Sequence, residues 1–323
     1  MKKLLLLVLL IIITSCDEGD IVSTETIAEE ITRGAVLRTQ EYINNDYLIT
    51  DVQSDFHVVI EEQDLEDGDL LDEVEVYIQY IGNTSVTEAI STQEVLYDVI
   101  PASDFYEGEF GLPRYELNIS FQEALSFVDL QLSDVAVKDQ FIYRLNLKLT
   151  DGRNFTTGTS SSIIIAYDTF YSSPFLYTIN VVSPIDDTAY TGVYAVESIL
   201  DGPGPDGETF VDCYTVEITK GRSNTTRQFY AWHWRYHRGI EQKRRWEFNV
   251  VGDEIIFGKN QLSSPEGYCS STAPILLGPD TENGSADIVD DTVFELWFVE
   301  GYLNFDGGCG FNTAPSRYRF TKQ

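Results

Sequence analysis

The stretch FIYRLNLKLTDGRNF, Phe141–Phe155, decides the fold class. Tyr143, Leu145, Leu147 and Leu149 alternate with Arg144, Asn146 and Lys148. A period of two sends the two sets to opposite faces, so the pattern predicts a half-buried β-strand. Asp151-Gly152 marks a hairpin turn, and a partner strand is expected around Phe155. Working outward, Val74, Val76, Ile78 and Tyr80 alternate with Glu73, Glu75, Tyr77 and Gln79 in the same way. Phe56–Glu61, Ser162–Tyr167 and the segment from Ser172 to Val182 also read as strands. One short helix is expected, because Ser120 and Glu123 make a capping box ahead of Ala124, Leu125 and Val128. Short strands separated by Gly, Pro, Asp and Asn predict an immunoglobulin- or fibronectin-like β-sandwich over residues 31–185.

Ser183-Pro184-Ile185-Asp186-Asp187 interrupts the pattern, and a domain boundary is expected there. Beyond it, Tyr214/Val216/Ile218, Glu254–Phe257, Thr292–Val299 and Arg317–Thr321 again read as strands. Residues 186–323 are therefore expected to be a second all-β domain, either a sandwich or a small barrel. The expected architecture is two tandem β-sandwich domains, rich in the aromatic and β-branched residues that sheets favour.

The N-terminus predicts the compartment. Lys2 and Lys3 precede an unbroken apolar run, Leu4–Ile13. That run is too short to span a bilayer and suits a signal peptide over residues 1–15. Ile13-Thr14-Ser15-Cys16 resembles a bacterial lipobox, which implies cleavage before Cys16 and diacylglycerol on its sulfur, usually with an acyl chain such as palmitate on its amine. Residues 16–30 are polar and acidic and read as a flexible tether. Asp17, Glu18 and Asp20 resemble the export signal of Bacteroidota surface lipoproteins. Without Lys2 and Lys3 the chain keeps 19 basic residues against 53 acidic ones, a balance of -34. Such a charge repels phosphates and anionic lipid, which argues against a nucleic-acid partner and against lying flat on a membrane.

The series RGAVLRT, EDGDLLDEVEVYIQY, GLPRYELNI, FIYRLNLKLTDGRNF, SSPFLYTINVV and YTGVYAV is similar to accessory lipoproteins encoded beside SusC/SusD-type outer-membrane transporters in Bacteroidota. The likeness runs to about Val196. It implies a surface-exposed or periplasm-facing, lipid-anchored accessory subunit of a nutrient-uptake complex, whose partners would be a β-barrel and its lipoprotein; the acidic residues after Cys16 disfavour the periplasmic option.

Gln228–Phe248 (QFYAWHWRYHRGIEQKRRWEF) holds three of the four Trp. As a strand, Tyr230, Trp232, Trp234 and Tyr236 would share one face, and Trp246, Phe248 and Val250 would align with it on the return strand. Three readings fit that stripe: the core of the second domain, a stacking platform for sugar rings, or a protein contact. Lys220, Arg222, Arg227, Arg235, Arg238, Lys243, Arg244 and Arg245 bring 8 of the 21 basic residues into this region. They would pair with the acidic surface, or dock an acidic partner or saccharide. Trp232, Trp234, Tyr236, Arg235, Arg238, Arg244 and Arg245 are thus the candidate binding residues.

Catalytic motifs are absent from the sequence: no zinc-protease signature, nucleophile elbow or phosphate loop occurs. His233 and His237 would lie about 13 Å apart on a strand, too far to share a metal. Asp64–Asp69 and Asp201–Glu208 offer oxygen ligands for calcium, but neither fits EF-hand spacing and turns favour the same residues. No cofactor is expected. Cys269 and Cys309 lie in loop-like surroundings and are the expected disulfide, while Cys213 falls in a strand. The sequence thus predicts a non-catalytic accessory subunit that binds glycan or a neighbouring subunit. The alternative is a structural or assembly subunit without a small ligand.

Overall fold

The computed structural model describes residues 34–167, 169–202, 209–211, 214–233, 243–264, 275–301 and 313–323. They build two all-β domains, each around its own apolar core. Cys16, Cys213, Trp234, Arg235, Tyr236, His237, Arg238, Cys269 and Cys309 lie outside the described residues, as do the signal segment and the tether.

The first domain contains β1 (Val36–Leu48), β2 (Asp55–Gln63), β3 (Leu71–Ile81), β4 (Val95–Pro101), β5 (Tyr106–Glu107), β6 (Pro113–Ser120), β7 (Gln140–Leu149), β8 (Asn154–Phe155) and β9 (Leu176–Val182). Their bonded order is β4-β3-β7-β9-β1-β2-β6-β5, with β8 on β7. β1 belongs to both layers. Its first part pairs antiparallel with β2, and Asp46–Leu48 then pair parallel with β9. Register shifts at Thr39/Glu41 and Tyr42/Asn44 accompany the crossing, as expected where a strand bends.

The alternating residues of the sequence meet across β3 and β7. Val74 faces Leu147, Val76 faces Leu145 and Ile78 faces Tyr143, and all six are fully buried. Such pairs are the unit of sheet stability. On the outer face, Lys148 bridges Glu73 and Glu75, and Arg144 pairs with Glu94. The Asp151-Gly152 turn joins β7 to β8, with Gly152 at φ 88°, a conformation glycine adopts freely. The capping box is present at α1 (Phe121–Phe127): Ser120 Oγ accepts from the Glu123 N–H, and Glu123 accepts from the Ser120 N–H. Phe121, Ala124 and Leu125 are buried by this helix.

Ser162–Tyr167, expected as a strand, instead opens with a single helical turn, α2 (Ser162–Ile165). Its three consecutive isoleucines serve different cores. Ile164 and Ile165 pack on the first domain, while Ile163 joins Ala166, Leu262 and Leu276. A strand would send neighbours to only two opposite faces, so the turn is what distributes them.

The second domain contains β10 (Gly192–Leu200), β11 (Phe210–Val211), β12 (Thr215–Lys220), β13 (Thr226–His233), β14 (Arg244–Val251), β15 (Glu254–Phe257), β16 (Gln261–Ser264), β17 (Ile275–Pro279), β18 (Gly284–Ser285), β19 (Val293–Glu300) and β20 (Ala314–Lys322). The order is β16-β17-β19-β20-β10-β12-β13-β14-β15-β18, with β11 on β13. The first strand therefore pairs with the last, and the sheet curls until β15 and β18 lie beside β19. Gly284 permits this closure: a Cβ there would sit 1.8 Å from the Glu295 carbonyl oxygen. The core is aromatic, with Phe210, Phe229, Trp246, Phe248, Phe294 and Phe298 in mutual contact.

Candidate functional site

β13 and β14 form the expected hairpin, but its strand phase differs by one residue from expectation. Phe229 lies opposite Trp246, and both are buried. Tyr230 lies opposite Arg245 and is 53% exposed. Phe229 and Ala231 therefore face the core, and Tyr230 does not join Trp246. A one-residue slip exchanges the faces of a strand. Size decides the phase: the small Ala231 leaves space for the indole, whose Nε1 donates to the Ala231 carbonyl at 3.2 Å. Trp232 is half-buried at the margin of the core.

Of the described members of the basic cluster, Lys220 and Lys243 are exposed, while Arg222, Arg227, Arg244 and Arg245 are buried or half-buried. Arg227 is fully buried. Its guanidinium donates to the carbonyls of Ala189, Asn224, Thr226 and Asp186 at 2.6–3.0 Å. Removal from water holds its pKa below the usual guanidinium range. Lys220 pairs with Asp187. Arg245 donates to the Tyr167 hydroxyl at 2.8 Å and stands 3.8 Å from Glu247. Arg244, opposite Ala231, is half-buried.

Arg222 occupies the turn between β12 and β13 and reaches across to the first domain. Its guanidinium carbon lies 4.0 Å from the Tyr42 ring centre and 4.4 Å from that of Tyr167, a cation between two π faces. Glu247, almost fully buried, stands 3.3 Å away and also accepts from the Tyr167 hydroxyl at 2.8 Å. Burial alone would lower the Arg222 pKa, but Glu247 and the two tyrosines more than offset this and raise it. Its Nε and Nη1 are buried without a hydrogen-bond acceptor among the described residues.

Beside this sandwich lies a cleft of about 140 Å³ between the two domains. Its walls come from β1, β7, β9, α2 and the residues after it on one side, and from β14, β15 and the turn after β15 on the other. Five amides line it: Asn45, Gln140, Asn180, Asn249 and Asn260. Tyr42, Tyr167 and Tyr177 supply rings, and Leu176, Ile256 and Phe257 supply apolar wall. Arg222 and Lys259 also line it, and among the described residues no Asp or Glu does. Lys259 donates to Thr178 Oγ1 at 3.0 Å. Its side chain is exposed, and desolvation by the neighbouring protein shifts its pKa downward.

The cleft has firm edges. Asp46 of β1 is buried and accepts from Ser223 Oγ at 2.6 Å, Thr225 Oγ1 at 2.7 Å and the Thr225 N–H at 3.2 Å. Burial raises its pKa despite these bonds, which act to lower it. Lys138 reaches both Asp253 and Glu254. The Tyr167 N–H donates to the Asn260 carbonyl at 2.9 Å.

In the sequence Arg222 stands out only as part of a charge cluster, and Tyr42, Tyr167, Asp46 and Lys259 do not stand out as site residues. Their one sequence signal is weak: Lys259 is a single cation amid neutral residues, Phe257 to Gln261. Of the acidic runs, Asp64 spends both carboxylate oxygens on the backbone N–H groups of Glu66, Gly68 and Leu70, a turn cap. Among the described residues no group of three His, Cys, Asp or Glu could hold a metal ion. His57 bonds Glu116 at 2.6 Å on the surface of β2.

No protein-family model matches the chain, and no curated protein does. Solved structures similar to it include Spo0M, a sporulation control protein from Bacillus subtilis, at 9% identity and TM-score 0.17, covering 69% of this chain and 77% of that one. A DUF4466 family protein from Parabacteroides merdae matches at 10% identity and TM-score 0.22, covering 90% of this chain and 98% of that one.

Proposed function

We propose that this chain is a lipid-anchored, non-catalytic accessory subunit of a SusC/SusD-like nutrient-uptake complex at the outer-membrane surface, and that it holds a polar ligand in the cleft between its domains. The cleft carries the reading. It combines amides, rings and cations on walls that hydrogen bonds hold in place, and junctions between domains are where ligand sites concentrate. The anchor rests on the lipobox at Cys16, and two or three acyl chains hold a protein to a bilayer nearly permanently. An immunoglobulin-like first domain is supported by strand order. β1-β2-β6-β5 and β4-β3-β7-β9 follow the ABED and C′CFG sheets of that fold.

The test is purification from native membranes in mild detergent, with mass spectrometry of the N-terminus. Diacylglyceryl Cys16 and a co-purifying β-barrel are expected. An unmodified chain in the culture fluid would overturn the anchored reading. The second reading, an assembly subunit, is favoured by the outward face of β10, where Val193, Ile199 and Leu200 are exposed near Tyr214. Co-purification without any glycan retention would select it.

A further inference from the structure

We infer that the cleft selects an anionic, hydroxyl-bearing ligand, with a carboxylated sugar residue as the class that fits; this rests on reading the cleft as the binding site. Charge is the first observation. The chain holds 53 acidic and 21 basic residues, yet among the described residues the cleft is lined by two cations and no carboxylate. A wall drawn at random from so acidic a chain would carry the opposite sign. Field lines between low-dielectric walls concentrate, so two lining cations would favour an anion there even in a negative protein.

The two cations differ in what already balances them. Glu247 lies 3.3 Å from Arg222 and cancels part of its charge. Lys259 makes no ion pair among the described residues and bonds only a threonine hydroxyl. Lys259 is therefore the group with charge to give, and Arg222 adds a fixed positive background behind it. An arriving carboxylate would take a charge-assisted hydrogen bond from the exposed Lys259 ammonium.

The remaining lining fits hydroxyls. An amide side chain offers both donors and an acceptor, which matches a ring bearing several hydroxyl groups. The buried Asn260 Oδ1 has no hydrogen-bond partner among the described residues. Leu176, Ile256 and Phe257 give apolar contact for ring C–H groups. Gln140 Nε2 donates to Asn180 Oδ1 at 2.9 Å and Asn249 Oδ1 accepts from Thr226 Oγ1 at 2.8 Å, which fixes the orientation of three of the five amides.

The test is calorimetric titration of the full chain with digalacturonate and with its neutral counterpart, digalactose. Wild type, Lys259→Ala and Lys259→Arg are compared, and melting temperature checks folding. Digalacturonate should bind wild type and Lys259→Arg, and about tenfold or more weakly to Lys259→Ala, with affinity falling as salt rises. Equal binding of the two sugars, unaffected by Lys259→Ala, would overturn the charge selection and leave the cleft as a site. Binding of neither sugar to folded wild type would overturn the assignment of a sugar ligand. Binding that Lys259→Ala leaves intact and that a bulky Asn180→Trp change also spares would remove the cleft itself as the site.

Discussion

Glu61 and Glu62 adjoin on β2, are both fully buried, and are treated oppositely by the fold. Glu61 lies between Arg38 and Arg114, with Arg114 Nε at 2.6 Å. Among the described residues Glu62 has no hydrogen-bond partner on either oxygen. Burial, with Asp64 nearby adding repulsion, pushes its pKa from the usual 4.5 up to about 8. The sign follows from linkage. The folded state keeps the proton after the unfolded chain has lost it, so this contribution is complete below pH 4.5. It is lost progressively as pH rises toward about 8, and is flat above. A shift of some three and a half units corresponds to about 4–5 kcal/mol at most. Glu62→Gln keeps the shape and cannot ionise. Its added N–H groups impose a cost that does not vary with pH. Urea unfolding of both proteins from pH 4 to 9 isolates the effect as the difference between them. That difference should move in favour of the variant by about 3 kcal/mol between pH 4.5 and pH 7. A difference that stays constant across this window would refute the reasoning, because Glu62 would then ionise alike in both states.

Four further outcomes are expected. Arg227→Leu removes the four hydrogen bonds that a fully buried guanidinium gives to the carbonyls of Ala189, Asn224, Thr226 and Asp186 and should cost about 3–5 kcal/mol in denaturant unfolding; Arg227→Lys should rescue little, because an ammonium cannot reproduce the planar fork. Asp46→Ala should cost about 2–4 kcal/mol, since it removes the shared acceptor of Ser223 and Thr225, and amide exchange at residues 223–226 should accelerate. Trp246→Ala should cost about 3–5 kcal/mol as a buried ring, while Trp232→Ala, at the core margin, should cost clearly less on the same unfolding curve. Ser120→Ala should cost about 1 kcal/mol through loss of the cap on α1, read as a lower melting temperature.

What was legible in the sequence followed from local chemistry. The period of two in β3 and β7, the Asp-Gly turn and the Ser120–Glu123 box each depend on residues close together in the chain, and each is present. β13 was legible as a strand but not in phase. Phe229 and Ala231 on one face and Tyr230 and Trp232 on the other are all apolar, so hydrophobicity could not choose between them. The choice fell to volume, with Ala231 making room for Trp246. The three isoleucines of α2 misled for a related reason: β-branching favours a strand, but two separate cores required a turn. The cleft was illegible because its residues run from Tyr42 to Asn260. Each is ordinary by itself, and only the fold brings them together.

The position of the basic cluster has a structural logic that charge counting misses. Repulsion in so acidic a chain opposes packing two domains together, and cations at their junction reduce that repulsion. Arg222 sits between Tyr42 and Tyr167 and beside Glu247, while the next turn residues, Ser223 and Thr225, hold Asp46. Arg227, two residues further, ties that turn to the segment around Asp186 and Ala189 that links the domains. One short stretch, Arg222–Arg227, therefore holds the domains together and sets a wall of the cleft. The same element joins the domains and lines the cleft, so a ligand at the proposed site would meet a wall already fixed by how the domains are joined. Interactions already formed in the free protein need no further ordering when a ligand arrives, and that saving is what pre-organisation contributes to affinity.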